Sequence, residues 1–192
     1  MVKTAVEHQS GPIAFRYPRG EVVGVPLDKQ LKSLPIGKGE LLQADYEAVD
    51  VLLVGVGFAV QTALQAQALL KEKGISTASI NARFVKPLDE ALLTQWIRRS
   101  QLVVTLEENT VCGGFGSAVL EMMQQKNLKQ DVLCLGLPDQ FIDHATPAIQ
   151  RKLTGLDAAG VLQKILEKLK SAKHELPLNK PKLDQEVPLV LN

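Results

Sequence analysis

Between residues 50 and 136 the chain repeats one hydrophobic rhythm. Asp50 to Gly55 (DVLLVG) is an unbroken apolar run closed by glycine, the pattern of a strand buried on both faces. Ala59 to Lys73 follows, rich in Ala, Leu and Gln and ended by Gly74, which predicts a helix. Ile75 to Asn81 alternates and predicts a second strand. Pro87 stands where a helix would begin, with Asp89 and Glu90 in its first turn and Arg98 and Arg99 in its last, so both ends suit the helix dipole. Leu102 to Leu106 predicts a third strand, Phe115 to Lys126 a helix behind two glycines, and Val132 to Gly136 a fourth strand. Lys38 to Gln43 fits an edge strand. Pro147 to Leu153 and Asp157 to Lys170 fit two closing helices, the second capped by Asp157. This alternation predicts an α/β fold: an open, mainly parallel five-stranded sheet with helices on both faces and right-handed crossovers.

The flanks break the rhythm. Met1 to Gln9 has a weak helical pattern ended by Ser10-Gly11 and Pro12, and Ile13 to Tyr17 reads as a short strand stopped by Pro18 and Gly20. Glu21 to Gly39 has little periodicity, which suits a linker lying over a neighbouring domain. After Ala172 the sequence is spaced by Pro and Lys. That predicts an extended or disordered tail, unless a partner surface captures its apolar end, Val187 to Leu191. The expected division is therefore 1–36 as a linker and the end of a preceding domain, 37–172 as the α/β domain, and 173–192 as the tail.

Composition narrows the function. At 192 residues and 45% hydrophobic the chain can build one domain with a real core. Lys and Arg number 22 against 21 Asp and Glu, which gives no electrostatic case for nucleic acid or an anionic membrane, and few aromatics are present for base stacking. MVKTAVEHQSG lacks the apolar core of a signal peptide, and no apolar run is long enough to span a bilayer. Cys112 and Cys134 sit in apolar stretches and read as buried thiols in a reducing compartment, not as a disulfide. The expectation is a cytoplasmic protein.

Three places have the residue types for chemistry. Gly55-Val56-Gly57-Phe58-Ala59-Val60 joins a strand to a helix, the context of a phosphate cradle. A dinucleotide fingerprint needs a small residue where Val60 stands and an acid where Asn81 stands, so a tight turn is the alternative. Glu107-Glu108-Asn109 ends a parallel strand just before Cys112-Gly113-Gly114-Phe115-Gly116-Ser117. These residues either face a ligand, as open sheets arrange, or satisfy the free N–H groups of the next helix. Arg16-Tyr17-Pro18-Arg19-Gly20 places two arginines around a rigid dipeptide. They suit bidentate phosphate recognition or are solvated surface side chains. His8 and His174 lie in polar termini. His144 can pair with Asp143 but has no nucleophile or ligand set beside it, and no spacing suggests a metal site.

Read together, GPIAFRYPRG (11–20), LPIGKGE (34–40), NARFVKPLDEALL (81–93), VVTLEENTVCGGFGSAVLE (103–121), LGLPDQFIDHA (135–145) and LTGLDAAGV (153–161) resemble the C-terminal domain of the 1-deoxy-D-xylulose-5-phosphate synthase family, part of the transketolase C-terminal-domain superfamily. The resemblance covers about residues 1 to 170. It departs at Ala145, where glycine is expected, and at the tail. It implies an enzyme that condenses pyruvate with glyceraldehyde 3-phosphate to 1-deoxy-D-xylulose 5-phosphate and CO2, for isoprenoid, thiamine and pyridoxal synthesis. Family members use thiamine diphosphate and magnesium. The GDG motif that binds them belongs to a first domain, the glutamate that activates the cofactor to a second, pyrimidine-binding domain, and this sequence contains no GDG. The resemblance therefore implies no cofactor or catalytic residue in this chain, partnership with those two domains, room for a homodimer, and inactivity alone. It implies one site residue, Arg19, which would hold the substrate phosphate, with Arg16, Tyr17 and Gly20 supporting its geometry. A different reading is a non-catalytic assembly or regulatory module docking on a separately encoded thiamine-diphosphate enzyme subunit.

Overall fold

The computed structural model describes residues 1–17, 24 and 29–172. A short helix α1 (Val2–Glu7) comes first. Five strands follow, β1 (Glu40–Ala44), β2 (Val49–Gly55), β3 (Thr77–Asn81), β4 (Ser100–Thr110) and β5 (Asp131–Leu137). Between and after them lie α2 (Ala59–Glu72), α3 (Glu90–Ile97), α4 (Phe115–Gln125), α5 (Pro147–Thr154) and α6 (Ala158–Ala172). The strands form one sheet in the order β1-β3-β2-β4-β5. Only β1 runs antiparallel, against β3; the other pairings are parallel. The α/β reading, with its edge strand and parallel core, is the architecture observed.

The sheet is built outward from β2. Val51, Leu52, Leu53 and Val54 are completely buried, which is why this strand is an unbroken apolar run and not an alternating one. Its side chains divide by parity. Leu52 and Val54 join Leu93, Trp96, Ile97, Phe115, Val119 and Met122 on the face covered by α3 and α4. Val51 and Leu53 join Ala63, Ala66, Leu70, Val161 and Ile165 on the face covered by α2 and α6. Small alanines on α2 let that helix lie close to the sheet. By contrast α5 buries none of its residues, and Ile149 and Leu153 face outward. Among the described residues no helix is long and apolar enough to cross a membrane.

Several expectations shift. The helix placed at Pro87 begins at Glu90, because Asp89 is its N-cap, with Oδ1 accepting from the Leu92 amide at 3.2 Å. Pro87 lies in the preceding turn, after a cis Lys86–Pro87 peptide bond. The Asp89 carboxylate also accepts from the Gly39 amide at 3.1 Å and pairs with Lys38 at 3.5 Å, pinning the chain that leads into β1. Ile13 to Tyr17 is not a strand. Its alternation sets Phe15 and Tyr17 on one side, ring centroids 6.1 Å apart, instead of facing a ladder partner. Both cysteines are free, but Cys112 is exposed in the turn before α4 and Cys134 is half-buried, so the apolar neighbours of Cys112 in sequence do not bury it. Asp157 does cap α6, accepting from the Gly160 amide at 3.1 Å.

Near the N-terminus α1 packs on the segment before β1. Buried Thr4 accepts from the Leu34 amide at 2.8 Å, and Ser33 bonds to Glu7. Lys3, and after it Ser33, hold the Glu7 carboxyl below its usual range.

This layering predicts an asymmetric response to truncation. Leu52→Ala, at the completely buried centre of β2, should cost about 2–5 kcal/mol through lost transfer energy and a cavity. Leu153→Ala, on the exposed face of α5, should stay within about 0.5 kcal/mol. Urea denaturation of both variants measures the contrast.

Candidate functional site at the carboxyl end of the sheet

The helices following β2 and β4 depart to opposite faces, so a crevice opens between the carboxyl ends of these neighbouring strands. Open α/β sheets generally bind ligands at such a point. Here the crevice is furnished by the turn 55–59, the segment 107–114 and side chains arriving from α5 and the N-terminal segment.

The turn after β2 is tight. A Cβ on Gly55 would stand 2.8 Å from the Val60 Cα, and Gly57 has φ of +64°, a left-handed conformation that glycine adopts without strain. The Val60 and Gln61 amides donate within the turn, to the carbonyls of Gly57 and Phe58. The Phe58 ring lies against the Arg151 guanidinium, 4.2 Å from the ring centroid. Of the two readings of this segment, the geometry is that of the tight turn.

Three consecutive residues at the end of β4 serve three different elements. Glu107 is buried, and its carboxylate accepts from the Phe115 amide through Oε2 and the Gly116 amide through Oε1, both at 2.9 Å. It thus caps α4, whose N-cap residue, Gly114, has no side chain of its own. Glu108 pairs with Arg151 of α5 at 2.7 Å. Asn109 Oδ1 accepts from Arg16 Nη1 at 3.3 Å. Glu107 and Glu108 diverge because successive side chains of a strand alternate: Glu107 follows Val103 onto the face covered by α4, and Glu108 follows Leu106 onto the opposite face.

Of the residues singled out from sequence, Arg16 therefore meets the crevice, and Tyr17 is exposed beside Phe15. Arg19, Gly20 and His174 lie outside the described residues. His144 is exposed and makes no hydrogen bond or ion pair with Asp143. Sequence alone does not point to Arg151 or Phe58. The one signal is an aromatic residue directly before a helix, within a motif notable chiefly for its glycines.

The residues at the crevice do not fit thiamine diphosphate or magnesium. Glu107 faces backbone amides, Glu108 faces Arg151, and among the described residues no group of three or more His, Cys, Asp or Glu is placed to hold a metal ion. A cavity of about 440 Å³ lies to one side, lined by Pro138, Phe141, Ile142, Asp143, Leu153 and Lys164. Its one ammonium, on Lys164, donates to the Thr154 carbonyl at 3.0 Å.

Two substitutions test the cap. Glu107→Gln keeps one acceptor but turns an amide toward the other N–H, and should cost about 2 kcal/mol. Gly116→Ala would place a Cβ 2.7 Å from Thr105 Oγ1 and 2.9 Å from Cys134 Sγ, and should destabilise by about 1–3 kcal/mol through overpacking. Thermal or urea unfolding reads both losses.

Comparison with known proteins agrees with this architecture. Residues 38–161 match the family model described as transketolase, C-terminal domain. The 1-deoxy-D-xylulose-5-phosphate synthase of Microcystis aeruginosa is 47% identical over 174 residues, 90% of this chain and 27% of that protein. The enzyme of the same name from Desulforudis audaxviator is 47% identical over 178 residues, 92% of this chain and 27% of that protein. The chain thus spans about a quarter of the curated relatives it matches. A solved structure titled "Split gene transketolase, inactive beta4 tetramer" superposes with a TM-score of 0.65 at 32% identity, covering 72% of this chain and 44% of that one. The transketolase of Campylobacter jejuni, at 15% identity, a TM-score of 0.50, and coverage of 68% of this chain and 18% of that one, shares the fold. By its sheet order, its helix layers and its sequence, the chain belongs to the transketolase C-terminal domain family.

Proposed function

We propose that this chain is the C-terminal portion of a thiamine-diphosphate-dependent synthase that condenses pyruvate with glyceraldehyde 3-phosphate, releasing CO2 and forming 1-deoxy-D-xylulose 5-phosphate. The observation behind this reading is 47% identity to synthases of that name across nine-tenths of the chain. When bound, the cofactor supplies the carbanion stabilisation that such a condensation needs. In this reading the diphosphate-binding and pyrimidine-binding domains hold it together with magnesium, residues 1–36 join 37–172 to the second of them, and 173–192 form a tail. The donor set described above supports assigning the cofactor elsewhere.

The contribution of this chain is then assembly and one substrate contact. Arg19 receives the phosphate of glyceraldehyde 3-phosphate, because a guanidinium matches a phosphate with two parallel hydrogen bonds. Arg16, Tyr17 and Gly20 set the course of the segment around it. Exposed apolar residues on and near α1, among them Val2, Val6 and Leu31, suit a surface covered by another domain or a second copy. The alternative, a separately encoded module docking on a thiamine-diphosphate enzyme, is supported by the split-gene transketolase neighbour.

Synthase activity decides between these roles. The chain alone, given pyruvate, glyceraldehyde 3-phosphate, thiamine diphosphate and magnesium, should show no turnover. Mixing with separately produced first and second domains should restore it. Arg19→Ala should then raise the KM for glyceraldehyde 3-phosphate about 10- to 100-fold and leave that for unphosphorylated glyceraldehyde unchanged. Turnover by the chain alone would overturn the assignment of the cofactor to other domains.

A further inference from the structure

Among the described residues, residues 12–17 make one hydrogen bond, the contact from Arg16 Nη1 to Asn109 Oδ1, across 93 positions of sequence. We propose that Asn109 is the positioning residue of this N-terminal segment: it latches Arg16 to the carboxyl end of the sheet and so fixes the place of residues 15–17. The consequence for substrate binding rests on the reading of Arg19 given above; the latch itself does not.

The frame that holds Asn109 is rigid. The two residues before it are fixed, Glu107 by the amides of α4 and Glu108 by Arg151. Its own carbonyl lies so close to β5 that a Cβ on Gly136 would stand 2.8 Å from it. An amide side chain borne on that frame offers an oxygen at a set place. It is also a neutral acceptor. Asn109 therefore brings no counter-charge to Arg16 and engages one nitrogen of a group that carries five N–H donors. Phe15 and Tyr17 flank the latched residue, with ring centroids 6.1 Å apart in a tilted aromatic pair.

Trypsin tests the latch directly, because Arg16 must leave Asn109 before it can enter the protease specificity pocket. Cleavage then follows the population of the open form. With the full chain, Asn109→Ala should speed cleavage of the Arg16–Tyr17 bond about fivefold, the weight of one solvent-accessible hydrogen bond to a charged group. Asn109→Asp, which keeps the oxygen, should cleave no faster than the parent. Cleavage after Lys126, at the end of α4, should be unchanged in both. Equal rates at Arg16 in the parent and in Asn109→Ala would overturn the proposal. So would a parallel rise at Lys126, which would make Asn109 merely part of the fold. In the active mixture, Asn109→Ala should raise the KM for glyceraldehyde 3-phosphate about fivefold, with kcat and the KM for glyceraldehyde unchanged; a fall in kcat alone would contradict a positioning role. An inert mixture, or an Arg19→Ala variant with unaltered KM, would sink the functional reading, while the cleavage rates at Arg16 would still decide whether the latch exists.

Discussion

The Glu107 carboxylate, buried between β4 and the start of α4, is the constraint around which the carboxyl end of the sheet is arranged. A helix beginning at Phe115 leaves its first amides unsatisfied, and Gly114 has no side chain with which to answer them. Glu107 answers from the strand, eight residues earlier, with one oxygen for each of two amides. A buried carboxylate is tolerable only when its lone pairs are met, and here the partners are the positive end of a helix dipole. Close approach then dictates the neighbours. A side chain at Gly114 would collide with that same carboxylate and with the Thr110 carbonyl, and one at Gly136 would stand 2.9 Å from the Glu107 Cγ. The glycine-rich sequence reflects a strand, a helix start and a neighbouring strand crowding one charge, not an empty cradle awaiting a ligand.

That crowding also limits what the crevice between β2 and β4 offers to the nucleotides that other open sheets bind at the same position. The α2 start is covered by Phe58, on which Arg151 lies, and Arg151 is held in turn by Glu108. The first amides of α2 are engaged in their own turn. The two groups suited to anions, a helix N-terminus and an arginine, are both engaged within the protein, the amides by their own turn and Arg151 by Glu108 and Phe58, so the elements around the crevice are joined to one another. What remains facing outward is Arg16, and it is held by a neutral amide.

Much of this fold is legible because hydrophobic burial writes directly into sequence. Leu52 and Val54 face one helix layer while Val51 and Leu53 face the other, and a strand with two buried faces has no choice but to be apolar throughout. The start of α3 is harder to place because proline and aspartate both mark helix beginnings, and only the side-chain bond from Asp89 to the Leu92 amide decides between them. The extended Ile13–Tyr17 segment imitates a strand since alternation records which side a residue faces, whatever it faces. At the site, the sequence allows a cap from Glu107, Glu108 or Asn109; strand alternation puts Glu107 on the face of Val103, but that selects it only once the face that α4 covers is known. Arg151 is invisible for a different reason: its partners, Glu108 and Phe58, lie 43 and 93 positions away.

In the proposed reading the active site lies in other domains, and the separation of roles along residues 107–109 bears on how this domain would serve it. A residue that reaches across a domain boundary needs a fixed origin, since a displacement of about 1 Å at the reacting groups is costly to catalysis. A loop tethered only by its ends would not supply that origin. Here the origin is the end of the longest strand in the sheet, stiffened on one side by a helix cap and on the other by an ion pair stacked on an aromatic ring. The rigidity that the core gives to β4 is thereby passed, through one side-chain amide, to a segment that belongs to no regular element. In this arrangement the buried acid and the exposed arginine are parts of one device: Glu107 holds the strand end in place, and the strand end holds the arm.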